Sequence, residues 1–417
     1  MTEILVREFD AVRDIPAIEE MERLCEVGPS GKPSIFTDFM GDPISRIRHS
    51  SLYLMLVAEY EGGKKGIVGV IRGCIKTVTR GRKPFSTEFP MYTKVAYILG
   101  LRVSPTHRNP DRYPAKPWKG DDFVASFRRL GIGTKLVVKV EEWCREKGAE
   151  YTYMATERSN LASINLFTSK CNYTKFRTPT ILVQPVHAHR KPLPLAHAIF
   201  RLTPALADSL YRRIFSAAEF FPNDIDAVLS NALTLGTFMA VPRKHLPEWD
   251  PDSGRLPPSF AVASVWDCKG VFKLQVKGVS PVTRAWCAAS RLLDVCMPWL
   301  RIPSVPDVFR PFGVYVLYGL YMEGKGGVGL MRSLCHFAHN MGRDDAGCAA
   351  VVAEVGRRDP VREAVPHWRR FSCAEDLWCM KKLVVEGEEN NGGDGGSPDW
   401  VRSPPSSPLL FVDPREF

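Results

Sequence analysis

The segment Arg128-Arg129-Leu130-Gly131-Ile132-Gly133-Thr134-Lys135 carries the residue types and spacing in this chain that best suit chemistry. It runs into a helix pattern with Leu136, Val137, Val140, Trp143 and Cys144 on one face, which Gly148 ends. Glycines without a Cβ let a ligand approach the backbone, and the free N–H groups of a helix's first turn present the positive end of its dipole. That is the chemistry of a pyrophosphate site, with Arg128 and Arg129 as counter-charge. A G-x-G pair alone is a weak signal, and its context carries the weight. A dinucleotide fold would add a third glycine and an acid about 20 residues on, and a nucleotide kinase would show G-x-x-x-x-G-K-[ST]; neither pattern is met.

The surrounding elements alternate strand and helix signals. Glu3 to Arg7 reads as a strand, and Val12 to Cys25 places Ile15, Ile18, Met21 and Leu24 on one helix face. Leu52 to Tyr60 and Gly66 to Val78 are β-rich runs joined by the turn residues 61–65, and Lys94 to Val103 is a further strand that Ser104-Pro105 ends. Tyr151 to Ala155 follows the glycine-opened helix, and Asn160 is an N-cap for a helix through Leu166 and Phe167. The order then recurs: Gly319-Leu320, Gly327-Val328-Gly329 opening a helix 196 residues after Gly131, the strand Cys348 to Val355, Asp359-Pro360, and a short helix from Trp368 to Phe371. We read a divergent duplication of a whole domain; two unrelated α/β segments that each hold G-x-G are the alternative. Position 324, three before Gly327, is glycine where the first copy has arginine, so the second copy is expected to be degenerate and structural.

With 45% apolar and 24% charged residues in 417, the chain is expected to fold as two or three globular domains. No uncharged apolar stretch reaches the roughly 18 residues of a membrane span, and Glu3, Arg7, Glu8 and Asp10 stand where a secretory signal would need apolar residues, so an intracellular protein is expected. Eleven cysteines without a C-x-x-C pair indicate core thiols rather than disulfides or zinc. His187, His189 and His197 lie in a Pro-rich stretch with no acid or thiol beside them in sequence, so no metal is expected. The net charge of +10 favours acidic partners, but it is spread rather than blocked, and direct nucleic-acid binding is not expected.

These residues resemble the GNAT (Gcn5-related) N-acetyltransferase superfamily, whose members hold the pyrophosphate of acetyl-CoA with an [R/Q]-x-x-G-x-[G/A] loop. Supporting matches are Val57-Ala58-Glu59 and Gly66-Ile67-Val68-Gly69, Leu101-Arg102-Val103-Ser104-Pro105 closing the central strand, and Asn160, Leu166, Phe167 and Tyr173. The wording Leu-Arg-Val-Ser-Pro-Thr-His-Arg, Gly-Ile-Gly-Thr-Lys-Leu-Val and Phe-Val-Asp-Pro-Arg-Glu-Phe is similar to the plant Hookless-type branch, a likeness over nearly the full length that implies a nuclear regulator of hormone-linked growth, tied to ethylene and auxin signalling.

The resemblance implies a mixed-sheet α/β fold of tandem GNAT-like domains. Acetyl-CoA is the implied co-substrate, with Leu101, Arg102 and Val103 on its pantetheine arm and Arg108, Arg128, Arg129, Leu130, Gly131, Ile132, Gly133, Thr134 and Asn160 around it. It implies an acceptor amine on a protein, histone or other nuclear lysines among them. The family's glutamate base falls at Tyr97 and its tyrosine acid at Phe167; Glu59 and Glu157 are the nearest carboxylates by sequence. Residues 109–128 interrupt a loop the family runs straight through, so Arg108 competes with Arg128 for one position. The expected organisation is a GNAT domain over 1–177, a Pro-rich and helical connector over 178–232, a degenerate copy over 233–385, and a disordered tail from 386 with an apolar end. The rival to an enzyme is a scaffold that binds acetyl-CoA or partners without turnover.

Overall fold

The computed structural model describes residues 4–24, 33–60, 66–81, 90–104, 131–246, 255–373, 375–383, 399–405 and 407–417. In chain order the strands are β1 (Ile4–Glu8), β2 (Ser34–Asp38), β3 (Leu52–Tyr60), β4 (Gly66–Arg80), β5 (Tyr92–Val103), β6 (Tyr151–Glu157), β7 (Thr174–Arg177), β8 (Thr180–Pro185), β9 (His197–Leu202), β10 (Glu219–Pro222), β11 (Thr234–Pro242), β12 (Phe260–Asp267), β13 (Lys273–Lys277), β14 (Gly313–Glu323), β15 (Cys348–Val355) and β16 (Asp376–Lys382). The helices are α1 (Ile15–Leu24), α2 (Ile132–Glu146), α3 (Leu161–Asn165), α4 (Pro204–Phe215), α5 (Ile225–Leu229), α6 (Pro281–Cys296), α7 (Gly327–Asp344) and α8 (Val361–Ala364).

Two mixed sheets organise most of these elements, one in the order β1-β3-β4-β5-β6-β16-β7 with β10 also pairing with β4, the other β8-β15-β14-β12-β11-β9, while β2 and β13 form a separate two-stranded antiparallel sheet. Each mixed sheet holds one parallel pair, β5 with β6 and β14 with β15, and all its other pairings are antiparallel. Helix α2 lays Ile132, Leu136, Val137, Val140 and Cys144 on the first sheet, as the three- and four-residue spacing requires, and Gly148 at φ +76° ends it. Helix α7 covers the second sheet in the same way through Leu330, Met331, Leu334 and Ala338. The predicted duplication is therefore present as two tandem domains of one topology.

The expected boundaries at 177 and 385 are corrected by an exchange of strands. β16 leaves the second half and lies between β6 and β7, whereas β8, next after β7 in the chain, crosses to pair with β15. Each domain is completed by a strand from the other. Residues 178–232 are likewise no connector: β8, β9, α4, β10 and α5 are parts of the two cores. Trp368 to Phe371 forms a turn instead of a helix. Within the segment expected to be disordered, 399–405 and 407–417 are packed, with Trp400, Val401, Phe411 and Val412 at most 7% exposed. A composition dominated by Gly, Ser and Pro hid Trp400 and Val401, whereas Phe411 and Val412 belong to the apolar end already evident in the sequence.

His187 and His189 are buried, and the acid absent beside them in sequence arrives from α6. Asp294 accepts from His189 Nδ1 at 2.8 Å and from Ser304 Oγ at 2.5 Å. Seven of the cysteines are buried in the cores.

Candidate functional site

β5 and β6 pair from Val95 opposite Tyr151 to Ile98 opposite Met154. Both then continue, to Val103 and Glu157, without pairing with each other, so a cleft opens between them beyond Ile98 and Met154. At the mouth of the cleft β5 bulges. Val70 faces Arg102 while Arg72 faces Leu99, so Ile71 alone opposes Gly100 and Leu101, and Gly100 takes φ +61°. A buried arginine fills the space beneath. Arg72 Nε donates to the Pro43 carbonyl at 2.7 Å, its NH1 to the Gly100 carbonyl at 3.3 Å and its NH2 to Glu22 at 3.0 Å, while the guanidinium lies 5.0 Å from the Phe39 ring.

The start of α2 closes the third side. Gly131 at φ +63° is its N-cap and offers no side-chain acceptor, so the first-turn amides of Ile132, Gly133 and Thr134 meet no capping group among the described residues. A Cβ on Gly133 would stand 3.1 Å from Leu166 Cδ2 and 3.9 Å from Val103 Cγ2. The glycine thus lets the helix start, the end of β5 and the π-helical turn Leu166–Lys170 converge. Fifteen helical residues behind those amides supply the dipole that favours an anion.

On the face opposite α2, Tyr97 packs on Tyr153 with ring centroids 4.9 Å apart, and the Tyr153 hydroxyl donates to Glu416. Glu416 also pairs with Lys76, and Arg46 donates to the Glu416 and Phe417 carbonyls at 2.8 Å each. Burial opposes the Lys76 charge, but Glu416 and Asp413 outweigh it and hold its pKa above the usual value. A cavity of about 140 Å³ opens on this face between α1 and β2, with Glu22 among its lining residues.

The predicted residues fare unequally. Leu101, Arg102 and Val103 stand at the cleft, with Gly131, Ile132, Gly133 and Thr134 across it. Arg108, Arg128, Arg129 and Leu130, with the insert 109–128, lie outside the described residues. Asn160 caps α3, its Oδ1 accepting from Ser163 N at 3.2 Å, so its side chain serves the helix. Burial drives the Tyr97 phenol pKa well above 10, so it keeps its proton at neutral pH and cannot replace a carboxylate base. Glu59 is held by Arg7 at 2.8 Å and Arg13 at 2.6 Å at the β1–β3 pairing, away from the cleft, and the Arg7 hydrogen bond lowers its pKa. Glu157 is exposed at the end of β6, opposite Asp376. Phe167 is 1% exposed, edge-on to Tyr173 at 5.0 Å. Arg72 was missed, although a charge inside the apolar run Val68–Ile75 was a legible signal; Glu22, Arg46 and Glu416 gave none.

The second domain repeats the bulge without the arginine. β14 and β15 pair from Gly313 to Leu317, and Gly319 has φ +59°, but the Tyr211 ring lies 2.5 Å from where its Cβ would be. Helix α7 starts from Gly326 at φ +90°, again without a side-chain cap.

Residues 124–173, which include the start of α2, match the model of the Acetyltransferase (GNAT) family. A protein of Arabidopsis thaliana described as probable N-acetyltransferase HLS1 is 50% identical over 99% of this chain and 100% of its own length. The acetyl transferase GW6a of Oryza sativa is 44% identical over 99% and 97%. Saccharomyces cerevisiae N-myristoyltransferase, solved with bound myristoyl-CoA, superimposes with a TM-score of 0.50 at 9% identity, over 92% of this chain and 79% of that one, a likeness of fold alone. With the bulged and splayed central strands, the glycine-opened helix and that end-to-end identity in place, the chain belongs to the GNAT family of acetyltransferases.

Proposed function

We propose that the first domain transfers the acetyl group of acetyl-CoA to an amine, and that the acceptor is a protein lysine, nuclear proteins and histones included. The carrying observation is the start of α2, which has no side-chain cap among the described residues, facing across one cleft the stretch of β5 that has parted from β6. The residues fit the co-substrate: Gly133 leaves room where a Cβ would crowd Leu166, and the free amides suit a pyrophosphate. Bound acetyl-CoA would supply a thioester carbonyl open to attack. The amides of Ile132, Gly133 and Thr134 hold the phosphates, and the backbone of Leu101 to Val103 receives the amide-bearing arm. Arg72 fixes the bulge by binding the Gly100 carbonyl, which gives the neighbouring amides one orientation for a developing oxyanion. The lysine and nuclear assignments rest on the Hookless-type resemblance.

One observation favours a scaffold that binds acetyl-CoA without turnover: Tyr97 and Phe167, at the family's base and acid positions, are buried and carry no group that titrates near neutrality. Calorimetric titration of acetyl-CoA, followed by release of free thiol with and without peptide amines, separates the readings. Gly133→Asp should abolish acetyl-CoA binding through bulk and charge, and Gly329→Asp should leave it nearly unchanged. Binding without amine-dependent thiol release from any peptide would favour the scaffold.

A further inference from the structure

Residues 409–417 reach the face of the first sheet opposite α2 by a chain of specific bonds. Phe411 N donates to the Glu219 carbonyl at 2.9 Å, which lays the segment beside β10, and Asp413 caps the turn Pro414–Glu416 by accepting from Arg415 N at 3.1 Å. Arg415 pairs with Asp224 at 2.7 Å, and Glu416 pairs with Lys76. So held, the Glu416 and Phe417 carbonyls both face Arg46, whose NH2 and Nε donate to them at 2.8 Å each. A planar guanidinium bound to two carbonyls is fixed in orientation as well as in place. Tyr97, Arg102 and Glu22 all act electrostatically on Arg46, so this fork lies beside the bulge of β5.

Arg46 shares one hydrogen-bonded turn with Pro43. Asp42 N donates to the Phe39 carbonyl, Ser45 N to that of Asp42, and the amides of Ile47 and Arg48 to that of Ile44, each at 3.0 Å, with Pro43 and Ile47 buried. What fixes Arg46 therefore fixes the Pro43 carbonyl three residues before it. That carbonyl receives Arg72 Nε at 2.7 Å, and Arg72 NH1 in turn holds the Gly100 carbonyl at 3.3 Å. Like charge makes the outer anchor necessary. Burial lowers the Arg72 pKa, and Arg102 and Arg46 lower it further, so Arg46 freed from its two carbonyls would be repelled from this place.

We infer that the carbonyls of Glu416 and Phe417 position the amides of the Gly100 bulge for acetyl transfer, acting through Arg46, the turn 42–48 and Arg72. The inference rests on the acetyl-transfer reading of the first domain and adds to it a support from residues 370 and 371 positions away in sequence. Arg46 and the two tail residues are positioning residues, since none of them reaches the acetyl group. The charges of the segment fit this role better than a purely stabilising one. Asp413, Arg415 and Glu416 are at most 8% exposed, and apolar packing of Phe411 and Val412 would hold the tail without the desolvation these three cost. Buried ion pairs add little stability over apolar packing but can select one register. Here the selected register is the one that aims both carbonyls at Arg46.

Acetyl-transfer rates and calorimetric acetyl-CoA binding, both on the full chain, test the inference. Arg46→Met should lower the transfer rate about 10- to 100-fold, as a misaimed group does, while the acetyl-CoA dissociation constant changes by less than about threefold, because the α2 amides do not depend on Arg46. Arg46→Lys keeps the charge but not the planar fork and should recover only part of the rate; it carries the same comparison if Arg46→Met does not fold. Val412→Ala is the control, a defect in the same core that leaves Arg46 and both carbonyls in place, so its rate per folded molecule should match the wild type. Removing residues 416 and 417 from the Arg46→Met chain should cost no further rate. Equal losses in Arg46→Met and Val412→Ala, a binding loss as large as the rate loss, or a further drop on removing 416 and 417 would overturn the inference. Hydrogen exchange over residues 98–103 answers without turnover: Arg46→Met should speed it, and Val412→Ala should not. Unchanged exchange in Arg46→Met counts against the positioning role, whereas faster exchange beside a wild type that transfers nothing counts against the enzyme reading alone.

Discussion

The Arg72 guanidinium lies under the bulge at Gly100 so closely that a Cβ on that glycine would stand 2.6 Å from Arg72 NH1. Gly100 is therefore required twice, for its positive φ and for the room beneath it. Gly100→Ala should cost about 2 kcal/mol, of which the left-handed backbone accounts for about 1. Arg72→Met should cost more, about 3–5 kcal/mol, because Glu22 then loses its closest partner in a place where its side chain is 10% exposed. Urea denaturation of both variants checks the order. If the guanidinium sets the amides of the bulge, Arg72→Lys should lower the rate of transfer more than it raises the acetyl-CoA dissociation constant.

The exchange of β8 and β16 predicts that neither half is a folding unit. A chain ending at 177 lacks β16, leaving β6 and β7 with unpaired edges and exposing Trp378, Cys379 and Met380's places in the cores. It should be insoluble or molten when expressed alone, and co-expression of residues 178–417 should recover both pieces as one complex. In the intact chain, calorimetry should show one cooperative transition. Two separated transitions would mean that the shared strands do not couple the domains.

Local signals made the elements legible but not their ownership. Hydrophobic period and turn residues located β3 through β6 and α2 within a few positions, because each of those elements buries one face against neighbours in its own domain. They could not assign Asp376–Lys382 to the first sheet, since an apolar strand reads alike whichever partner it joins. The cofactor side of the cleft was legible because glycines and a helix start are local features. On the opposite face only Arg72, a charge inside an apolar run, left a local signal; Glu22, Arg46 and Glu416 are far apart in sequence and come together only after folding.

Asp376, first residue of the exchanged strand, gives the junction a pH dependence. Burial, with Glu157 adding to it, pushes its carboxyl up to about 6 from an ordinary value of 3.8, and Glu354 nearby is raised by burial in the same sense. A carboxyl whose folded pKa is the higher one stabilises the fold while protonated, so its contribution is present below about pH 4 and is lost as pH rises through 6. Asp376→Asn should raise the urea midpoint relative to the wild type at pH 8 and give no gain at pH 4. An equal effect at both values would point to packing rather than charge.

Phe167 decides how the missing acid is to be read. Its family position would carry a hydroxyl able to protonate a departing thiolate, and the resemblance implies that restoring it speeds transfer by supplying a general acid. Here the ring is 1% exposed, set edge-on against Tyr173, whose own oxygen already accepts from Thr152 Oγ1 at 2.7 Å. A hydroxyl added within this core pays desolvation without a free partner, about 1–3 kcal/mol. Phe167→Tyr should therefore lower the urea midpoint and leave the rate per folded molecule unchanged. A free thiol of pKa about 8.5 is a fair leaving group near neutrality, so turnover does not depend on that acid. Were Phe167→Tyr to raise the rate with no loss of stability, the far end of the ring would face the cleft, and Phe167 would be a wall of the transfer site instead of core.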